Sequence, residues 1–280
     1  MREINVELIT EAIKNLSIEA NYFLGSDIND ALLNAKKEEP WKLASDVLDK
    51  ILINSEIARN EKMPMCQDTG MACVFIEIGQ DVHLVGGRIE DAINEGVRRG
   101  YEEGFLRKSV VKDPIRRINT KDNTPAIIYY DIVDGDKVKI ILAPKGFGSE
   151  NMSKIGMLKP SDGLDGVKKF IIDTVKAAGP NPCPPMVIGV GIGGTFDKAA
   201  YLAKKALLRP INIRNEDEFY KELELELLQE VNKLGIGPQG FGGKTTALGL
   251  NIETYSTHIA GLPVAVNINC HATRHKEVIL

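Results

Sequence analysis

The chain has 280 residues, enough to bury most of its apolar surface on folding, and 43% hydrophobic with 26% charged residues is the mixture of a globular protein rather than a disordered or fibrous one. A formal net charge of −4 with scattered cations excludes the basic footprint that a nucleic-acid backbone requires, and no run approaches the roughly 20 apolar residues that span a bilayer. The opening has no signal-peptide core, so the expectation is a cytoplasmic protein without nucleic-acid or membrane partners.

Val6, Ile9, Ile13 and Leu16 recur at helical spacing, as do Leu43, Val47, Leu48 and Ile51, which predicts a helical N-terminal part over residues 1–60. The apolar, partly β-branched run Met71 to Ile78 predicts a strand, followed by a helix from Ile89 to Glu103. Ala126 to Val133 and Lys137 to Leu142 flank Asp134-Gly135, a pattern that predicts an antiparallel hairpin. Helices are expected over Asp165 to Ala178, Phe196 to Leu208 and Asp217 to Leu234, and strands over Met186 to Val190, Ala247 to Thr254 and Pro263 to Asn269. Helices that come first and strands that pair locally favour an α+β fold, with a helical layer packed on mixed or antiparallel sheets. With no repeat, low-complexity tract or clear linker, residues 1–280 read as a single domain.

Three of the four cysteines sit where packing needs no sulfur. Cys66 lies in Met-Pro-Met-Cys-Gln-Asp-Thr-Gly, Cys183 in Gly-Pro-Asn-Pro-Cys-Pro-Pro and Cys270 in Asn-Ile-Asn-Cys-His-Ala-Thr-Arg-His, whereas Cys73 is inside an apolar strand and reads as core. Prolines on both sides of Cys183 stiffen its loop and remove competing N–H groups, which suits a metal site as well as it suits a rigid turn. Structural zinc usually shows short paired spacings such as C-x-x-C, and none occurs in this sequence. Three distant thiolates instead suit a 4Fe-4S cluster, one iron of which then lacks a protein ligand and acts as a Lewis acid on a substrate oxygen.

Cys66-Gln67-Asp68-Thr69-Gly70, Lys145 to Asn151 (Lys-Gly-Phe-Gly-Ser-Glu-Asn), Gly237 to Thr246 (Gly-Pro-Gln-Gly-Phe-Gly-Gly-Lys-Thr-Thr) and Asn269-Cys270-His271 together resemble the class I iron–sulfur fumarases and the related L-tartrate dehydratases, nearly end to end. The resemblance is to the part that is a separate α subunit in two-subunit members and the N-terminal domain in single-chain ones. It implies that Cys66, Cys183 and Cys270 ligate a 4Fe-4S cluster. It further implies that Gln67, Arg107 and Gly148 bind a small dicarboxylate, that Asp68 is the acid for the departing hydroxyl, and that His258 is lent to a neighbouring protomer's active site. A separate β subunit is then expected to supply the catalytic base, in an α₂β₂ assembly built on paired α chains. The commoner metabolic role favours reversible hydration of fumarate to malate, with L-tartrate dehydration as the alternative. The family loop is often richer in glycine than Lys145-Gly146-Phe147-Gly148, which leaves open which N–H of 146–148 approaches the substrate.

Each of these residues also has an ordinary structural role. Asp68 in Asp-Thr-Gly is a common turn composition, Arg107 is one cation in a basic stretch, and His258 fits a satisfied structural donor. His271 adjoins a ligand and suits a hydrogen bond to sulfur, with His275 a weaker candidate. Gly189 to Gly194 fits G-x-G-x-x-G after an apolar run and before a helix, the arrangement that binds a dinucleotide, although no second strand ends in an acidic residue about 20 positions on. Its glycines could equally let backbone pack beside the Cys183 loop. Pro238 to Thr245 nearly fits a phosphate-binding loop, but proline replaces the first required glycine, and Lys244 suits a solvated turn as well as a substrate contact. A non-catalytic scaffold with a structural cluster is the remaining alternative.

Overall fold

The computed structural model describes residues 2–280 and forms two compact units. The first comprises 2–24, 54–147 and 274–280, and the second 25–53 and 148–273. In chain order the first segments are β1 (Arg2–Asn5), α1 (Val6–Tyr22), α2 (Ser26–Glu38), α3 (Lys42–Glu61), β2 (Met71–Gly79), β3 (Val82–Val85), α4 (Ile89–Glu103), β4 (Ile127–Val133) and β5 (Val138–Lys145). There follow α5 (Phe147–Glu150), β6 (Lys154–Leu158), α6 (Gly163–Ala178), β7 (Met186–Gly193), α7 (Phe196–Ala206), α8 (Glu218–Lys233), β8 (Ala247–Tyr255), β9 (Leu262–Asn269) and β10 (Lys276–Ile279). Helices with mixed sheets make the fold α+β, as the sequence indicated. The helical segment 1–60 is shared out between the units: α1 belongs to the first, α2 and most of α3 to the second. Among the described residues no helix is long and apolar enough to cross a membrane.

In the first unit a four-stranded sheet runs in the order β10-β5-β2-β4. Strand β5 alternates buried and half-exposed side chains, which sends Val138, Ile140 and Leu142 to one face. Helix α1 covers that face and packs in turn on α4, whose Ile93, Val97 and Tyr101 fall four residues apart on one stripe. Asn5 caps α1 by accepting the Glu7 N–H at 2.9 Å.

The expected hairpin between β4 and β5 does not form. Strand β2 lies between them, parallel to β4 and antiparallel to β5. It is the most apolar of the three, with Ala72 to Ile76 all buried, so the central position gives it the largest transfer from water. The Asp134-Gly135 turn therefore bridges across the end of β2, where Gly79 donates to Lys137 O and Gln80 to Val133 O, both at 2.8 Å.

In the second unit the order is β6-β9-β7-β8, with β7 parallel to β8 and antiparallel to β9. Ile188 and Val190 of β7 join Ile171 and Val175 of α6 and Leu227 and Val231 of α8 in one core, while α7 covers the opposite face. On that opposite face β7 presents Gly189 and Gly191, and a Cβ on either would overlap the carbonyl oxygens of Ala203 or Ala199 in α7. These glycines thus sit inside a paired strand and admit a helix to close range. They do not form the phosphate-cradling turn of a dinucleotide site, nor do they pack beside the Cys183 loop. Glu224 of α8 is fully buried and accepts from Arg209 Nη2 at 2.5 Å and Ile252 N at 2.8 Å, which fastens the segment after α7 to β8.

The two kinds of glycine separate in stability. Gly191→Ala is expected to cost about 3 kcal/mol because the overlapped atoms are helix backbone, whereas Gly135→Ala, at φ 101° in open space, is expected to cost about 1 kcal/mol. Guanidinium denaturation of both variants checks the order.

Candidate active site

The segment Met65 to Gly70 connects α3 to β2 and is held on all sides within the first unit. Met65 N donates to Asn21 O at 3.0 Å, and Asn54 Nδ2 donates to Met65 O at 2.8 Å. Cys66 follows, half-buried, and its sulfur accepts the Asp68 N–H at 3.4 Å. Both carboxyl oxygens of Asp68 are engaged: Oδ1 accepts from Gly70 N at 3.1 Å and Oδ2 from Phe147 N at 2.8 Å. A Cβ on Gly146 would stand 3.1 Å from Oδ2, so the Lys145–Phe147 backbone approaches this carboxyl group closely.

The carbonyls of the same segment point inward, to buried donors. Tyr101 Oη donates to Thr69 O at 2.8 Å and Gly70 O at 3.1 Å, and Asn123 Nδ2 donates to Gly70 O at 3.1 Å. Arg274 is 5% exposed and its Nη2 donates to Asp68 O at 2.6 Å. Burial holds the Tyr101 phenol well above the usual tyrosine range, so its hydroxyl stays a protonated donor. Thr69 Oγ1 donates to Arg107 O at 3.0 Å, which fixes the backbone of Arg107 beside the segment while its side chain stays exposed. Gln67 is also exposed. The first unit thus gathers a sulfur, an oriented carboxyl group and a guanidinium.

In the second unit Cys183 and Cys270 belong to neighbouring segments. Cys183 precedes β7 and Cys270 follows β9, and these antiparallel strands begin and end together, with Val187 paired to Asn269. His271 N donates to Cys183 O at 3.2 Å, so the two loops are tied directly. Cys183 is exposed and Cys270 half-buried. Cys73 is buried in β2, as an ordinary core residue should be. Gly148 is exposed in the short α5. Among the described residues no three His, Cys, Asp or Glu side chains are grouped as a single metal ion requires. A cubane asks for something else, because each thiolate binds a different iron.

His258 is placed elsewhere. It lies in the β8–β9 connection, which crosses the far end of β7 through Gly194 N to Ser256 O at 3.2 Å and Thr257 Oγ1 to Gly194 O at 2.9 Å. An eight-residue strand rising roughly 3.3 Å per residue therefore separates it from the Cys183 and Cys270 end of the sheet. It is exposed, and its Nδ1 accepts from Ala260 N at 3.2 Å.

Several residues that build the site carried little signal in the sequence. Tyr101 continues the buried stripe of α4, where only a polar tip marks it out from a phenylalanine. Arg274 stood inside the Cys270 motif, and Asn123 inside an Asp-Asn-Thr-Pro turn. The near-phosphate loop is likewise accounted for: Lys244 Nζ is paired with Glu38 at 2.8 Å, its N–H donates to the buried Glu39 at 2.7 Å, and the chain then enters a strand rather than a helix.

A family model described as fumarate hydratase (Fumerase) matches residues 10–279. A Methanocaldococcus jannaschii protein named "Putative L(+)-tartrate dehydratase subunit alpha" is 44% identical over 272 residues, covering 95% of each chain. An L(+)-tartrate dehydratase subunit alpha of Escherichia coli O157:H7 is 31% identical over 98% of this chain and 91% of its own, and that of Escherichia coli strain UTI89 is 32% identical over 96% and 89%.

Tyr101→Phe keeps the shape of the core and removes the donor to Thr69 O, which is expected to cost about 2 kcal/mol near neutral pH. Because the folded phenol titrates above the unfolded one, its contribution is complete below the unfolded value of about 10 and is lost as pH rises through the folded value. The stability gap between wild type and variant, measured by denaturation at several pH values, should therefore narrow on the alkaline side.

Proposed function

Since this chain belongs to the fumarate hydratase (Fumerase) family, we propose that it is the cysteine-bearing α subunit of a hydro-lyase that removes water from L(+)-tartrate. The observations that carry this reading are the tie between the Cys183 and Cys270 loops at one end of the second unit's sheet and, within the first unit, a loop that offers Cys66 and Asp68 together. The names of the relatives favour tartrate over fumarate, which was expected only as the commoner metabolic role. Fumarate and malate are the second reading, favoured by the description of the family model.

Cys66, Cys183 and Cys270 have the chemistry to hold a 4Fe-4S cluster: all three are in loops, none is packed in a core, and Cys66 already accepts a backbone N–H at sulfur. When bound, the cluster supplies Lewis acidity toward a substrate oxygen at the iron without a protein ligand. Hydroxide is a poor leaving group near neutral pH, so the departing oxygen also needs a proton. Asp68 delivers it, from a carboxyl group whose two oxygens are oriented by Gly70 N and Phe147 N. Arg107 grips a substrate carboxylate through two parallel hydrogen bonds, with its backbone fixed by Thr69. The exposed amide of Gln67 and the backbone of Gly148 complete the substrate contacts on this chain.

Abstraction of the carbon-bound proton falls to a group on a separate second subunit, in keeping with the α-subunit names of the relatives. His258 serves a neighbouring copy of this chain, because the length of β7 keeps it from the cysteine end of its own sheet. An α–α pair and an α₂β₂ assembly follow.

Anaerobic reconstitution with iron and sulfide, followed by assay of the pair of subunits on L-tartrate and on fumarate, tests the reading. Cys66→Ser, Cys183→Ser and Cys270→Ser are each expected to lower activity by about 1,000-fold or more, whereas Cys73→Ser keeps it. A protein that binds no iron, or a Cys66→Ser variant with full activity, overturns the proposal, and preference for fumarate selects the second reading.

The role of His258 has its own test. His258→Asn and Asp68→Asn are each expected to lose about 100-fold or more alone, and their mixture after re-pairing to recover about a quarter of wild-type activity, since only mixed dimers hold one intact site. No recovery on mixing would show that His258 does not serve a neighbouring copy, and full activity of His258→Asn alone would place it outside the active site.

A further inference from the structure

The loop Gly237 to Gly243 contains five residues with left-handed backbone, at φ between 53° and 124°. Four are glycines, which adopt that conformation freely. The fifth is Gln239, at φ 53° and ψ 18°, where a side chain is disfavoured by the clash of its Cβ with the backbone. A glutamine held in a conformation that favours glycine points to a task for its amide.

That task is visible in what it touches. Gln239 N donates to Pro184 O at 2.8 Å, and its side-chain Nε2 donates to the same oxygen at 2.9 Å. One donor already satisfies a carbonyl, so the second adds direction rather than mere saturation. Pro184 follows Cys183. Its ring fixes φ, and two donors on its carbonyl fix the next peptide plane, so the residue after the cysteine has little torsional freedom left. Cys183 itself sits at φ 55°, with its N–H donated to Pro180 O at 3.0 Å and its carbonyl accepting His271 N at 3.2 Å. Gly240 closes the arrangement from the other side, since a Cβ there would overlap the ring of Pro180.

We infer that Gln239 is a positioning residue for the Cys183 thiolate: its side-chain amide clamps the Pro184 carbonyl and so holds an exposed, strained cysteine in one orientation. The inference rests on the proposed ligation of a cluster iron by Cys183. It explains why the glycine-rich loop, which resembles a phosphate loop in composition, turns its donors toward the protein's own carbonyl.

Gln239→Gly separates this role from general stability. It keeps the backbone donor, relieves the left-handed strain and removes the side chain with its amide. In full-length protein reconstituted anaerobically with its second subunit, the variant is expected to melt no lower than wild type yet to release iron to a chelator about tenfold faster. In the unloaded chain, iodoacetamide should alkylate Cys183 about threefold faster while the rate at Cys66 stays the same. Iron release and Cys183 alkylation both within about twofold of wild type overturn the inference, as does a lowered melting temperature with equal acceleration at both cysteines. If wild type takes up no iron, the cluster reading falls, and the alkylation ratio still decides whether Gln239 holds Cys183.

Discussion

A loop that carries reactive groups has no ladder of its own to hold it, and in this protein buried side chains take the place of the ladder. The hydroxyl of Tyr101 donates to two successive carbonyls, Thr69 and Gly70, from the core beneath α4. Arg274 and Asn123 add donors to Asp68 O and Gly70 O. Leaving such carbonyls unpaired away from water would cost about 1–3 kcal/mol each, so these contacts decide whether the segment has one conformation or many. The orientation of the Asp68 carboxyl and the position of the Cys66 sulfur depend on that restraint.

The second unit meets the same need with different means. Its cysteines stand at the end of a sheet whose central strand is served by two unlike faces, branched residues toward α6 and α8 and glycines toward α7. Close approach of α7 makes β7 a stiff member, and the Cys183 and Cys270 loops inherit that stiffness because they leave the sheet from paired positions. The strained torsions at Cys183 and Gln239 are then tolerable, since the surroundings determine them several times over.

Much of the secondary structure was legible in the sequence because it follows from hydrophobic period. The helix Ile89–Glu103 and the strands from Met186 and Leu262 fall within a few residues of where the apolar pattern put them. Pairing was not legible. Asp134-Gly135 is a sound turn signal, but a turn specifies only that the chain reverses, and the apolar strand β2 outcompeted the local partner for the space between β4 and β5. Gly189 to Gly194 failed for a related reason: spacing of glycines does not say whether they serve a turn or a strand face. At the site, the cysteine loops stood out because their neighbours were polar or proline, whereas Tyr101 and Arg274 were hidden by looking like a core aromatic and a loop cation.

The contents of the first unit's loop also argue for the incompleteness of the chain as a catalyst. Dehydration of a hydroxy acid moves two protons, one onto oxygen and one off carbon, and the two tasks call for groups of different proton affinity on different sides of the substrate. Around Cys66 the chain offers one carboxyl group, Asp68, already oriented by two backbone donors, and guanidinium groups suited to carboxylate binding rather than to proton abstraction. His258, an imidazole and so a residue type suited to that work, is carried to the other end of its sheet by the length of β7. Under the proposed function this chain holds the substrate and protonates its leaving group, and the step at carbon is left to the second subunit.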